Sequence, residues 1–170
     1  MTIRLRAHHL LCVLTYVGRG YTPAFTANYD AIAERLSQGE PITVIDGPDD
    51  ICRGWIDDPD AHCRLPRLHA RDGAAASDLT VLLRRPVQPG LTLVPDASLL
   101  SHLRAAFAAN EIRLACAQCQ WSDLCTNIAE AGYSGVRVAG GRGGSQEGAN
   151  APFPPQPPSP ISRPQPKESS

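Results

Sequence analysis

Apolar side chains recur along this chain at distinct spacings, and the spacings predict its elements. Leu10, Leu11, Leu14 and Val17 fall on one helical face within residues 8–17. Thr22 followed by Pro23 predicts a helix start: a capping hydroxyl, then a residue whose missing N–H costs nothing in the first turn. Phe25, Tyr29, Ile32 and Leu36 follow at helical spacing, and Gly39 supplies a left-handed stop. Residues 41–47, PITVIDG, predict one short strand ended at Gly47-Pro48. Residues 48–70 are rich in Asp, Pro and His and show no period, which predicts a long loop. A helix then carries Leu79, Leu82 and Leu83 and ends before Pro86. LTLV at 91–94 predicts a second short strand. Asp96 caps a helix bearing Leu99, Leu100, Leu103, Ala106 and Phe107 that closes near Asn110. A last helix starts at Ser122, carries Leu124 and Ile128 and stops at Gly132. The expected fold is mainly α, an α+β domain with minor strand content and no internal repeat.

Composition divides the chain in two. Half of its 16 prolines fall after residue 150, behind the glycine-rich run GGRGGSQEG. Such a segment cannot bury enough apolar surface to offset the entropy of ordering it. The expected organisation is a single small helical domain over residues 1–138 and a disordered Gly/Pro-rich tail over 139–170. The tail's P-x-x-P spacing and its lone GGRGG belong with a flexible linker rather than a docking or RNA-binding element.

Charge excludes some partners. The net charge is −1 and only 5% of residues are aromatic, so neither attraction to nucleic-acid phosphates nor a stacking platform for bases is expected. Arg4 and Arg6 before a short apolar run loosely mimic a signal peptide, but two histidines lead into the run and no small-x-small cleavage site follows. No stretch reaches the length of a membrane span. A soluble cytoplasmic protein is expected, a setting in which structural disulfides are rare.

That leaves six cysteines to explain. Cys116, Cys119 and Cys125 form C-x2-C-x5-C within CAQCQWSDLC. The two-residue gap lets a tight turn aim two sulfurs at one point. With Ser122 as N-cap, Cys125 falls at the third helical position, where the helix dipole favours a thiolate. Structural zinc sites gather two close pairs of ligands, whereas iron–sulfur sites use a close triplet with a remote fourth cysteine. The pattern points to an iron–sulfur cluster, [4Fe–4S] or [2Fe–2S], with zinc as the alternative. Cys52 and Cys63 lie in the irregular loop, free to be aimed at a site. Cys52 is the expected fourth ligand and Cys63 the alternative. Cys12 lies in the first apolar run and is expected to be a packing thiol. His8 shares a helical face with it, but no third group to orient a His–Cys nucleophile pair is identifiable, so no catalytic residue is assigned.

RLRAHHLLCVLTYVGRGYTPAF, GPDDIC and IRLACAQCQWSDLCTNIAEAGY together resemble a family of small bacterial and archaeal proteins, domain of unknown function 1284, over residues 3–138. The resemblance implies iron–sulfur binding and brings no established reaction. In some members of the family the loop cysteine begins C-x-x-C-Pro; here Trp55 stands at the second cysteine position, leaving Cys52 and Cys63 to compete as fourth ligand. The expected activity is electron transfer or redox sensing with an unidentified redox partner protein, and a zinc-stabilised adaptor module is the alternative. Asp46, Asp49, Asp50, Asp57, Asp58 and Asp60 do not match a calcium loop and are expected to be solvated turn residues. Trp121 is expected to shield the metal site from water.

Overall fold

A computed structural model describes residues 1–141. Their order is β1 (Ile3–Arg6), α1 (His9–Cys12), α2 (Pro23–Ser37), β2 (Ile42–Ile45), α3 (Arg67–Leu83), β3 (Thr92–Leu93), α4 (Ala97–Ala108) and α5 (Ser122–Glu130). The mainly helical α+β expectation holds. The predicted tail falls almost wholly on residues 142–170, outside the described residues.

A three-stranded sheet sits at the centre in the order β1-β2-β3. β1 and β2 are parallel, with Ile3 opposite Ile42 and Leu5 opposite Val44, so both strands bury the same face. A parallel pair needs a crossover, and α1 with α2 supplies it. β3 adds two residues antiparallel to β2.

The local start and stop signals work as written in the sequence. Thr22 Oγ1 accepts from the Phe25 N–H at 3.1 Å, and Asp96 Oδ1 accepts from the Leu99 N–H at 2.8 Å. At the end of α2, Gly39 has φ of 85°, and Glu40 donates back to the Arg35 carbonyl in a Schellman closure. α4 ends the same way, with Asn110 at φ 60° and Glu111 donating to Ala106.

Three elements differ from expectation. β1 was not predicted, because the alternation of Ile3 and Leu5 is broken by Arg6, whose side chain is buried. The helix expected over 8–17 is a single turn, His9–Cys12, followed by non-helical turns. α3 begins at Arg67, so the irregular segment is shorter than predicted and contains one 3-10 turn, Cys52–Gly54. Gly54 seats that turn on α2: a Cβ there would come within 2.9 Å of the Ala24 carbonyl oxygen and of Asn28 Cβ.

The chain after α5 returns to close the core. Val138 is fully buried, and Arg104 donates to its carbonyl oxygen and to that of Leu14. Gly140 passes so close to Ala97 that a Cβ would meet its Cα at 2.4 Å.

Thr22→Ala removes the α2 cap and should lower stability by about 1 kcal/mol. In urea denaturation the midpoint should fall while the m-value stays unchanged.

Candidate metal centre

The irregular segment is positioned by acids that the sequence reading left to solvent. Asp49 and Asp50 reach the outer edge of β1, where Arg6 N–H donates to Asp49 Oδ2 and Arg4 N–H to Asp50 Oδ2, each at 2.8 Å. Asp50 N–H returns a bond to the Arg4 carbonyl, and Asn28 on α2 donates to the Asp50 and Ile51 carbonyls. The Asp49 side chain is 0% exposed, whereas Asp46, four positions past Ile42, is 70% exposed. Acids expected to behave alike thus do different work, because two of them complete a strand edge.

Arg6 lies beneath the same edge. Its Nε and Nη2 donate to Asp72 Oδ2 on α3 at 2.8 and 2.6 Å, and its Nη1 donates to the Cys63 carbonyl at 2.9 Å. Asp72 Oδ1 also takes His8 Nδ1 at 2.7 Å. Asp49 Oδ2 takes His9 Nδ1 at 2.6 Å. Two consecutive histidines are therefore each held at Nδ1 by a different carboxylate. These carboxylates are the orienting groups that sequence inspection did not find.

Burial of His8 lowers its pKa to about 3, against the opposing pull of its bond to Asp72. Asp72 is held well below the usual carboxylate range: burial opposes its charge, but the bonds from His8 and Arg6 outweigh it.

Beside these histidines is a cavity of about 100 Å³, room for a group several times larger than a water molecule. Cys12, Cys116, Cys119 and Cys125 all line it. Cys116 and Cys119 are the ends of a type II turn, with Gln118 at φ 62° and Cys119 N–H donating to the Cys116 carbonyl at 3.1 Å. α5 starts one residue earlier than predicted in cap terms: Trp121 is the N-cap, so Cys125 sits one position deeper and its N–H bonds the Trp121 carbonyl. The fourth wall thiol is Cys12, at the end of α1 and expected to be core. Burial raises its pKa well above the ordinary thiol value, and the charges of Cys125, Cys119 and Cys116 push the same way.

Polar groups address these sulfurs. Thr15 Oγ1 donates to Cys125 Sγ at 3.1 Å. Burial raises the Cys116 thiol, while a hydrogen bond and charge from Arg113 pull the other way. Arg71 also lines the cavity, fixed by its Nε bond to the Ala115 carbonyl. Trp121 lines the mouth, edge-on to Tyr21, which stacks on Trp55 at 4.0 Å.

Cys52 and Cys63 lie elsewhere. Cys52 follows the anchored Asp49, its N–H donating to Asp49 Oδ1 at 3.1 Å. One ligand atom each from His9, Asp49 and Cys52 lie within 4.8 Å of one another, a group able to hold a metal ion. Cys63 shares a hydrogen bond with Cys52, which drives the Cys52 thiol far up and draws Cys63 down to about 7. The structure thus collects the triplet with Cys12 and separates it from the two loop cysteines. Among the described residues all six cysteines are free.

Residues 20–125 match the model of a family described as a protein of unknown function, DUF1284. The chain belongs to this family. The match is narrower than the stretch of resemblance and contains five of the cysteines, with Cys12 outside it. No curated protein and no solved structure matches the chain. Among the described residues no helix is long and apolar enough to cross a membrane.

A His8 ring held neutral in the fold takes up a proton more readily when unfolded. Its contribution to stability is complete above the unfolded pKa of 6.5 and is lost as pH falls toward about 3. Wild-type stability should drop by about 2 kcal/mol between pH 7 and 5 from this group. His8→Asn keeps a donor toward Asp72 and should flatten that slope in denaturation curves taken across the range.

Proposed function

We propose that this member of the family binds an iron–sulfur cluster through Cys12, Cys116, Cys119 and Cys125, and that it serves electron transfer or redox sensing in the cytoplasm. The observation that carries the reading is the convergence of four thiols on one cavity. Among the described residues, the compact ligand group is His9, Asp49 and Cys52, and no three of the cavity sulfurs close to within 4.8 Å. A single zinc ion draws tetrahedral sulfurs to about 3.8 Å apart, given a Zn–S distance of about 2.3 Å. A cluster spreads its thiolates over a wider perimeter.

An orphaned hydroxyl supports the same fit. Tyr29 lines the cavity, is 5% exposed, and its OH has no hydrogen-bond partner among the described residues. Burial raises its pKa, and the nearby Cys12 and Asp49 add to that. An unsatisfied buried hydroxyl costs about 1–3 kcal/mol. A sulfur-rich group in the cavity offers it an acceptor. Hydrogen bonds from Thr15 and Arg113 to the ligating sulfurs are of the kind that set a cluster's potential.

Four thiolates hold either [4Fe–4S] or [2Fe–2S], and the bound group supplies one-electron chemistry. The protein's own part is to hold the sulfurs, place Arg71 and Arg113 near them, and screen the site with Trp121 and Tyr21. The turn at residues 117, 118 and 120 is exposed, which gives a protein redox partner an approach to the site.

Protein purified without oxygen should be brown, with broad visible absorption and acid-labile sulfide in proportion to iron. Cys12→Ser and Cys119→Ser should each abolish that absorption, and Cys63→Ser should keep it. A colourless protein carrying one zinc would sink the cluster. Loss of colour on Cys52→Ser, with full colour retained in Cys12→Ser, would return the fourth ligand to the loop.

A further inference from the structure

We propose that His9, Asp49, Cys52 and Cys63 form a second metal site, a closed tetrahedral site for one divalent ion of zinc's class, beside the thiol cavity and sharing the His9 ring with it. This inference does not rest on what fills the cavity.

The donor set chooses the ion. One imidazole nitrogen, one carboxylate oxygen and two sulfurs suit a borderline-soft tetrahedral ion. Calcium and magnesium take six or more oxygens, and only Asp49 offers one here. Spacing chooses one ion over a cluster: ligand atoms of His9, Asp49 and Cys52 already lie within 4.8 Å of one another, and Cys63, outside that group, adjoins it through Cys52.

The site is built rather than accidental. The Asp49 side chain is 0% exposed, and Cys52 and Cys63 are 2% and 7% exposed. Asp49 Oδ1 is fixed by the N–H groups of Ile51 and Cys52, and Oδ2 by that of Arg6. Those bonds aim the carboxylate with the same economy as supporting partners in known metal sites. Arg6, bonded to the Cys63 carbonyl, stands behind the sulfurs and offsets their charge. The ligands come from two places, the start of α1 and the segment running from Asp49 to Cys63. That segment has one 3-10 turn for regular structure and packs few apolar side chains, the condition under which small folds recruit a metal staple.

Atoms balance simply. In the metal-free protein Cys52 and Cys63 are free thiols, and His9 bonds Asp49 through Nδ1. On binding, both sulfurs enter as thiolates and their two protons pass to solvent, the His9 proton moves from Nδ1 to Nε2, and the ion takes the place of the proton between Nδ1 and Asp49. No oxidant or reductant is involved.

Cobalt(II) tests this, since it reports tetrahedral thiolate ligation in the visible spectrum. The full chain carrying Cys116→Ser and Cys119→Ser lacks two cavity thiols, so the cavity cannot claim the ion. Titrated with Co²⁺, it should bind one equivalent, show intense tetrahedral bands with sulfur-to-metal charge transfer, and release the ion to Zn²⁺. Adding Cys63→Ser should weaken binding about tenfold or more. As a second measurement that needs no cavity variant, zinc in anaerobically purified wild type should approach one per chain and vanish in Cys52→Ser with iron unchanged. Absence of Co²⁺ binding in the cavity variant would overturn the site, as would unchanged affinity on losing Cys63. So would a Cys52–Cys63 disulfide in protein kept from oxygen. Each of these leaves the cluster reading standing, because none of them measures it.

Discussion

A guanidinium buried at 1% exposure organises this protein. Arg6 sits at the end of the edge strand β1, and the desolvation of its charge is offset by a two-nitrogen grip on Asp72 and by the Cys63 carbonyl. Left without Asp72, such a charge would cost about 3–5 kcal/mol. Three segments far apart in sequence meet there: β1, the irregular segment and α3. The ion pair contributes little net stability by itself, but it admits one arrangement of those segments. Because Asp72 also takes His8, and the β1 edge also takes Asp49, the same arrangement orients both histidines.

The two histidines then divide the interior. Neighbours in sequence, they are drawn to different carboxylates, one on α3 and one on the irregular segment. Between and beside them lie two sulfur-bearing regions of different character. One is a cavity with four spread thiols, polar groups aimed at sulfur and an unsatisfied tyrosine hydroxyl. The other is a compact group in which nitrogen, oxygen and sulfur atoms lie within 4.8 Å of one another. Six cysteines in one small domain thus make two environments rather than one.

What the sequence reveals of this structure follows the range of the interactions concerned. Thr22, Asp96, Gly39 and Asn110 act on backbone groups within a few residues, and each was legible. The C-x2-C-x5-C triplet is equally local: its turn and the following helix decide where those sulfurs point. β1 was hidden because its inward residue is a cation whose partner lies 66 positions away. α1 was over-read because an apolar run packed as one turn and loops has the same spacing as a longer helix. Cys12 looked like core since its neighbours Leu10, Leu11 and Leu14 are core. Its place on the cavity wall depends on α1 being short, which no periodicity reveals. Asp49 and Asp50 looked like turn residues because their bonds run to a strand that had not been recognised.

The cavity's walls come from opposite ends of the domain. Thr15 and Cys125, already bonded to each other, are 110 positions apart. Whatever joins Cys12 to the C-terminal thiols therefore clasps nearly the whole domain into one loop. A cross-link closing a loop of that size removes on the order of 4–5 kcal/mol of unfolded-chain entropy in the simplest treatment. It also sets an order of events during synthesis. Cys12 leaves the ribosome early and must wait, reduced and unpartnered, until the final helix follows. A chain that stops short of Cys125 therefore lacks part of the cavity's wall.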